Sequence, residues 1–323
     1  MATLDNIKLS IHSLDDVLTC INLASSLEIA AWPKPGNVHR AVDFESTRFE
    51  HFLAGISAIL PSFKDLCTRI DNKYENNVVN FSFVNLGQFY LAAANRMMSW
   101  QKGGNVLLGH ILILAPLAAS TIICLKQKAL SFNKYKENIE RIINDSTPED
   151  TILLYKAIRH CNPGGMGKIE KYDLNDENSL QEIKLDNINL KKIFSLSKGY
   201  DLISSEYASG FQIVLAEGYP YFINSFNESK DINIASVNTF LKILANHNDT
   251  LIIRKSGESL ANEVSLRAKE ILEMGGLISE KGKETIINFD SYLQLQKGQL
   301  NPGTTADLLT GVLFVALLFG LRY

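Results

Sequence analysis

The residues best suited to chemistry are acids standing where apolar side chains are expected. Leu14, Val17, Leu18, Ile21 and Ala24 repeat at the spacing of one buried helical face, and the next position in that rhythm is Glu28. Trp32-Pro33-Lys34-Pro35-Gly36-Asn37-Val38-His39-Arg40 follows almost at once. Its two prolines stop the helix and force an extended turn, because proline fixes φ and disfavours the α conformation before it. Gly36 opens a backbone conformation closed to other residues, and Lys34, His39 and Arg40 gather positive charge beside the carboxylate. An acid on a buried face followed by a rigid basic turn suits a phosphate or metal-phosphate ligand. The alternative is an ordinary helix end, with Lys34 and Arg40 complementing the macrodipole and Glu28 reaching solvent.

Four further turns carry polar groups of the same kind. Gly103-Gly104-Asn105 feeds an apolar helix from Val106, and free N–H groups at such a helix start suit an anion. A helix read over residues 201–216 places Glu206 on a side shared with Leu202, Gly210 and Ile213. Asp249 is separated by an apolar run from Arg254-Lys255, and the spacing leaves open whether they share a face. Asn301-Pro302-Gly303-Thr304-Thr305-Ala306-Asp307 opens the last apolar helix, where Thr304 with Asp307 fits a cap that explains Asp307 without any function.

The elements that must position these groups are helical almost throughout. Ser13 with Asp16 and Thr147-Pro148-Glu149-Asp150 are helix starts, and further helices are expected over 46–57, 83–100, 106 onward, 147–160, 233–247 and 259–274. Pro61 ends or kinks the second, residues 71–80 form a surface loop, the helix over 147–160 breaks at 162–167, and 168–192 is a polar, poorly periodic excursion. The expectation is an all-α, single-domain multi-helix bundle over 1–323 with a central polar pocket. Apolar residues make up 46% and charged ones 21% of the 323, a globular composition, and the net charge of −3 makes no electrostatic case for nucleic acid. The four scattered cysteines read as reduced thiols of a cytoplasmic protein, and no signal peptide is visible. Residues 107–125 are about long enough to span a bilayer, but with His110 and Pro116 they read as a core helix, so no membrane is expected.

No dinucleotide fingerprint, Walker lysine motif, nucleophile elbow or HExxH pair is present. At its polar turns the chain instead resembles the triphosphoribosyl-dephospho-coenzyme A synthase family. The family's acid and Pro-Lys-Pro-Gly match Glu28 and residues 33–36, and its Gly-Gly-x-Asn-Thr-His-Lys-Gly turn is partly kept as Gly103-Gly104-Asn105 with Gly109. Its Glu-x-x-x-Gly-Phe element matches Glu206, Gly210 and Phe211, and its Asp-Thr element matches Asp249-Thr250 ahead of Arg254-Lys255. Its closing Ser-Pro-Gly-Gly-Ser-Ala-Asp-Leu-Leu element is close to residues 301–309. The departures are Leu107 and Leu108 in place of His and Lys, Arg254-Lys255 in place of His-Arg, and no arginine before Glu206. The chain looks like the archaeal branch.

The resemblance implies a transferase that joins the triphosphoribosyl group of ATP to a ribose hydroxyl of 3'-dephospho-CoA, or of a related acceptor, and releases adenine. It implies Glu28 and Glu206 as general base or oxocarbenium-stabilising groups, and Asp249 and Asp307 as holding Mg²⁺, directly or through water. Lys34, His39, Arg40, Arg254 and Lys255 would bind phosphates. Pro35, Gly36, Asn37, Gly104, Asn105, Asn301, Gly303 and Thr304 would line the substrate site. Glu28→Gln is expected to abolish turnover with folding intact. Two alternatives stand beside this reading: a ribosyl-phosphate transferase of another cofactor pathway, for example a tetrahydromethanopterin-like one, and a non-catalytic nucleotide-binding protein. Self-association is left open.

Overall fold

A helix that is apolar on every side must be surrounded by others, and two such helices organise this protein. The computed structural model describes residues 7–76, 78–164 and 170–323. Among these the chain forms helices and turns, with two isolated β-bridges and no strand. The all-α expectation holds.

The helices are α1 (Leu14–Ala30), α2 (Phe49–Lys73), α3 (Leu86–Trp100), α4 (Leu108–Gln127), α5 (Phe132–Asn144), α6 (Pro148–Cys161), α7 (Ser179–Leu185) and α8 (Leu190–Ser197). The remainder are α9 (Leu202–Ser209), α10 (Tyr219–Ser229), α11 (Ile232–Asn246), α12 (Thr250–Ser256), α13 (Glu258–Glu273), α14 (Glu280–Gln294) and α15 (Gly303–Leu318). The apolar helices are α4 and α15, which pack on each other and on α1. α4 is long and apolar enough to cross a membrane, yet Leu108 and every residue from His110 to Cys124 are buried against neighbours. α2 and α5 cover one flank of this centre, α10 and α11 another, and the α3–α6 pair lies outside α2. One contiguous hydrophobic core runs from Leu9 to Leu321, and all four cysteines are free and buried.

Both expected capping boxes are present, at Ser13 with Asp16 and at Thr147 with Asp150. Other expectations need correction. Helix α2 continues through Pro61 to Lys73, so the proline does not end it and residues 71–73 are not loop. The apolar face of Ile56, Ile59, Phe63, Leu66 and Ile70 continues past the proline and outweighs its local cost. Arg96 Nε satisfies the Ala58 carbonyl three residues before it (2.8 Å).

The single helix read over 201–216 is broken. Gly210 adopts φ +76°, α9 ends there, and a π-helical segment Ile213–Gly218 leads into α10. The stretch between Asp249 and Gly257 is the short helix α12, and the polar excursion contains α7 and the first residues of α8. Gly165, Met166 and Gly167 of the expected break, with residues 168 and 169, lie outside the described residues.

Helix α3 meets the start of α6 in close backbone contact. A Cβ on Gly87 would stand 2.5 Å from both the Cα and the carbonyl oxygen of Asp150, whose carboxylate accepts the Gly87 N–H at 2.8 Å. Gly87→Ala must push two helix backbones apart, and the expected cost is roughly 1–3 kcal/mol of unfolding free energy, read from denaturant titration.

Candidate active site

The rhythm that put Glu28 on the apolar face of α1 places its carboxylate in the protein interior, 1% exposed, where α1, α4 and α15 meet. An ionised carboxylate there requires a partner. Lys34, itself fully buried, supplies it: its ammonium pairs with Glu28 Oε1 and also donates to the Glu28 backbone carbonyl at 2.9 Å. On the other side His110 Nε2 lies 3.3 Å from Glu28 Oε2 and 3.6 Å from Asp307 Oδ1. Two carboxylates from α1 and α15 thus converge on one imidazole from α4.

The two acids are pushed in opposite directions. Burial would push Glu28 up, but the Lys34 ammonium and the His110 ring more than offset it and hold Glu28 below its ordinary value. Asp307 is held well above its ordinary range, by burial first and then by the negative charges of Glu28 and Asp249. Asp307 is also the member that reaches solvent, with its side chain 21% exposed. It lies directly over Gly109, where a Cβ would overlap the carboxylate, so the glycine is what lets the two helices bring these groups together. The expectation that Asp307 caps its own helix is overturned: α15 begins at Gly303 without a side-chain cap, and the carboxylate turns toward α4.

The basic turn serves a different purpose from the one expected of it. Residues 33–39 are buried. Gly36, at φ +73°, donates its N–H to Asp290 Oδ1 (3.0 Å), and a Cβ there would strike Leu293 and the Leu300 carbonyl. His39 Nδ1 accepts the Ala41 N–H at 3.2 Å, so its proton is on Nε2, which faces Asp290 Oδ2 at 2.9 Å. Asn37 bonds Asn301 Oδ1 (2.8 Å), and its carbonyl accepts from Gln294 (2.9 Å). Lys34 and His39 are therefore internal ties to Glu28 and to α14, and no phosphate can reach them as placed. Pro35 is buried within the same turn.

Other expected site residues are occupied as well. Both oxygens of Asp249 are taken, Oδ1 by the Leu251 and Ile252 N–H groups and Oδ2 by the Thr305 N–H and hydroxyl (2.7 and 2.8 Å). A carboxylate has about four acceptor positions, so none is left for a metal. Among the described residues no three His, Cys, Asp or Glu side chains converge to hold a metal.

Glu206 is fully buried and accepts the Ile213 and Val214 N–H groups (2.8 and 2.9 Å), capping the π-helical segment. Burial pushes it up to about 7, and no hydrogen bond or ion pair joins it to Glu28, His110 or Asp307. Lys255 donates to the Gly298 carbonyl (3.0 Å), and Arg254 pairs with Asp201 (2.9 Å).

Some expected groups do remain open to a ligand. Gly104 and Asn105 are exposed before α4, Asn301 and Gly303 are partly exposed before α15, and Arg40 is exposed. Thr304 is buried and bonds Thr250 (3.2 Å). The starts of α4 and α15 meet at Gly109 and Asp307, so two positive helix ends flank the Asp307 carboxyl. Two open clefts elsewhere, beside Arg159 and Asn162 and beside Cys20 and Arg322, contain none of these groups.

The family model described as ATP:dephospho-CoA triphosphoribosyl transferase matches residues 15–322. The chain belongs to that family. A 2-(5''-triphosphoribosyl)-3'-dephosphocoenzyme-A synthase of Klebsiella pneumoniae is 32% identical over 111 residues, 34% of this chain and 36% of that protein. The alignment thus spans about a third of the first curated relatives. An Acinetobacter calcoaceticus protein, provisionally given the same name, is 24% identical over 295 residues, covering 89% of this chain and 86% of its own. A solved candidate triphosphoribosyl-dephospho-CoA synthase from Archaeoglobus fulgidus shares the fold, with TM-score 0.61, 24% identity and coverage of 84% and 100%.

Sequence reasoning about this transferase-family chain missed His110, Thr310 and Asp290. His110 had a signal, a lone imidazole in the first turns of an apolar helix. Asp290 had the same signal as Glu28, an acid on the buried side of a helix beside Ile286, Phe289 and Leu293, but α14 itself was not read.

Two outcomes follow from these charges. Lys34→Met strands the Glu28 carboxylate and is expected to cost about 3–5 kcal/mol, most of it regained in Lys34→Met/Glu28→Gln. Glu28→Gln alone strands Lys34 in turn, so the expectation of intact folding in that variant is withdrawn. Because Asp307 titrates higher folded than unfolded, its contribution is present below its ordinary 3.8 and is lost as pH rises through the folded value. Asp307→Asn is therefore expected to gain stability over wild type as pH rises from 4 to neutral, measured by melts across that range.

Proposed function

We propose that this protein transfers the triphosphoribosyl group of ATP to a hydroxyl of 3'-dephospho-CoA, or of a chemically related acceptor, releasing adenine. Membership of the transferase family supports the reaction class. The observation that carries the chemistry is the convergence of two carboxylates on one imidazole, Glu28 inside and paired with Lys34, Asp307 at the mouth, with Glu28 favoured as the anion and Asp307 toward its protonated form.

In this reaction the bond from the ribose anomeric carbon to adenine breaks and a bond to the acceptor oxygen forms. The transition state resembles an oxocarbenium ion, as in glycoside cleavage. Asp307 gives its proton to the departing base, and the proton lost by the acceptor hydroxyl replaces it, so the protons balance. Glu28 is covered and does not touch substrate. Its fixed negative charge, held by Lys34, favours the positive charge that develops on the sugar. The triphosphate lies against the helix starts at Gly104, Asn105 and Gly303, with Arg40 as a side-chain cation and Arg254 exchanging its Asp201 partner for phosphate. Mg²⁺ enters as part of the substrate, bound to phosphate oxygens and water rather than to a protein cage. The reading includes a cytoplasmic location, where ATP and coenzyme A precursors are met. The family match does not favour the other pathway or the non-catalytic alternative.

The test is adenine release, followed by chromatography and mass spectrometry, from protein with Mg-ATP. Adenine formed only when dephospho-CoA is present, with a coupled product of matching mass, is the expected result. Asp307→Asn is expected to lower that rate by roughly 10²–10⁴-fold. Adenine without coupling would leave ATP as donor and reject dephospho-CoA as acceptor, and no adenine with any acceptor would reject the reaction.

A further inference from the structure

The protein contains two buried histidines wired in different ways. His39 has a partner on each ring nitrogen, the Ala41 N–H and the Asp290 carboxylate, and locks the turn to α14. His110 has all its partners on one nitrogen. Its Nε2 lies 2.9 Å from Thr310 Oγ1, 3.3 Å from Glu28 Oε2 and 3.6 Å from Asp307 Oδ1. The Thr310 hydroxyl donates to the Ala306 carbonyl (3.3 Å), so a lone pair of its oxygen faces the ring. Nδ1 is buried with no protein partner. A proton on Nδ1 would have nothing to bond, whereas a proton on Nε2 has three acceptors around it, so Nε2 carries it.

We propose that His110 is the positioning residue of this site, its single Nε2–H shared by Thr310 and Glu28 at rest and poised 3.6 Å from Asp307 to bond that carboxylate once its proton has left. This inference rests on the role proposed for Asp307 in the transfer reaction. At rest the N–H is aimed mainly at Thr310 and Glu28, the nearer acceptors. When Asp307 becomes an anion, a small shift brings it a charge-assisted hydrogen bond that did not exist with substrate bound. An interaction gained only along the reaction raises kcat and leaves substrate binding alone. Gly109, adjacent in α4, is the opening through which Asp307 comes this near.

Two variants and one spectrum test this. His110→Leu keeps the bulk and removes the donor, and is expected to lower kcat for adenine release about 100-fold with the KM for ATP little changed. His110→Gln carries an amide N–H to nearly the same place and is expected to recover most of that loss. A His110→Leu enzyme with full kcat, a loss confined to KM, or a glutamine no better than leucine would overturn the proposal. Nitrogen NMR of histidine-labelled wild-type protein reads the wiring without turnover. A protonated Nε2 with a bare Nδ1 on His110 is expected, and a proton on Nδ1 would overturn the proposal even in an active enzyme. The expected spectrum from a protein that releases no adenine would reject the reaction while keeping the wiring.

Discussion

The Glu28–Lys34 ion pair is the interaction on which the rest of the site depends. Neither charge tolerates an apolar interior alone, and each is buried only because the other is there. Their pairing draws residues 33–39 into the protein, and that inward turn is what α14 holds through Asp290 and Gln294. A hydrophobic pair would pack as well at lower desolvation cost. The retained charges therefore point to a use for the fixed anion, which the neighbouring imidazole and second carboxyl supply.

From that anion the behaviour of the other groups follows. Asp307 shares an imidazole nitrogen with Glu28, and the negative charge behind it helps to keep its proton in place. Asp249, by contrast, spends all its acceptor capacity joining the start of α12 to Thr305 at the start of α15. Its part in the site is to hold those two helix ends in register. Glu206 does comparable work at the π-helical segment. Of the four acids singled out by sequence, two are anchors of backbone and two face one another across His110.

The sequence made the helices and the position of Glu28 legible because helical period and burial are local signals. It could not show which way Lys34 points. A lysine in a proline turn reads as a surface cation unless the buried partner is known to lie within its reach, and Glu28 is that partner. Asp307 was misread for a related reason. Thr304 and Asp307 have the spacing of a capping box, but α15 starts at Gly303, and the carboxylate is drawn to a histidine almost two hundred positions away in the chain. Pro61 shows the opposite failure, a local signal overridden by a continuous buried face. The expected site groups that remain at least partly exposed at helix starts include Gly104, Asn105 and Gly303, read from the turns ahead of apolar helices rather than from side-chain charge.

The most direct measurement of the central claim is a crystal structure of the protein with Mg²⁺ and a non-reacting ATP analogue whose anomeric carbon resists cleavage. The account requires the base within hydrogen-bonding distance of the Asp307 carboxyl, about 3 Å, with the phosphates against the starts of α4 and α15. Glu28 should remain covered and paired with Lys34. An analogue seated away from Asp307, or one reached directly by Glu28 after the ion pair has opened, would contradict the account.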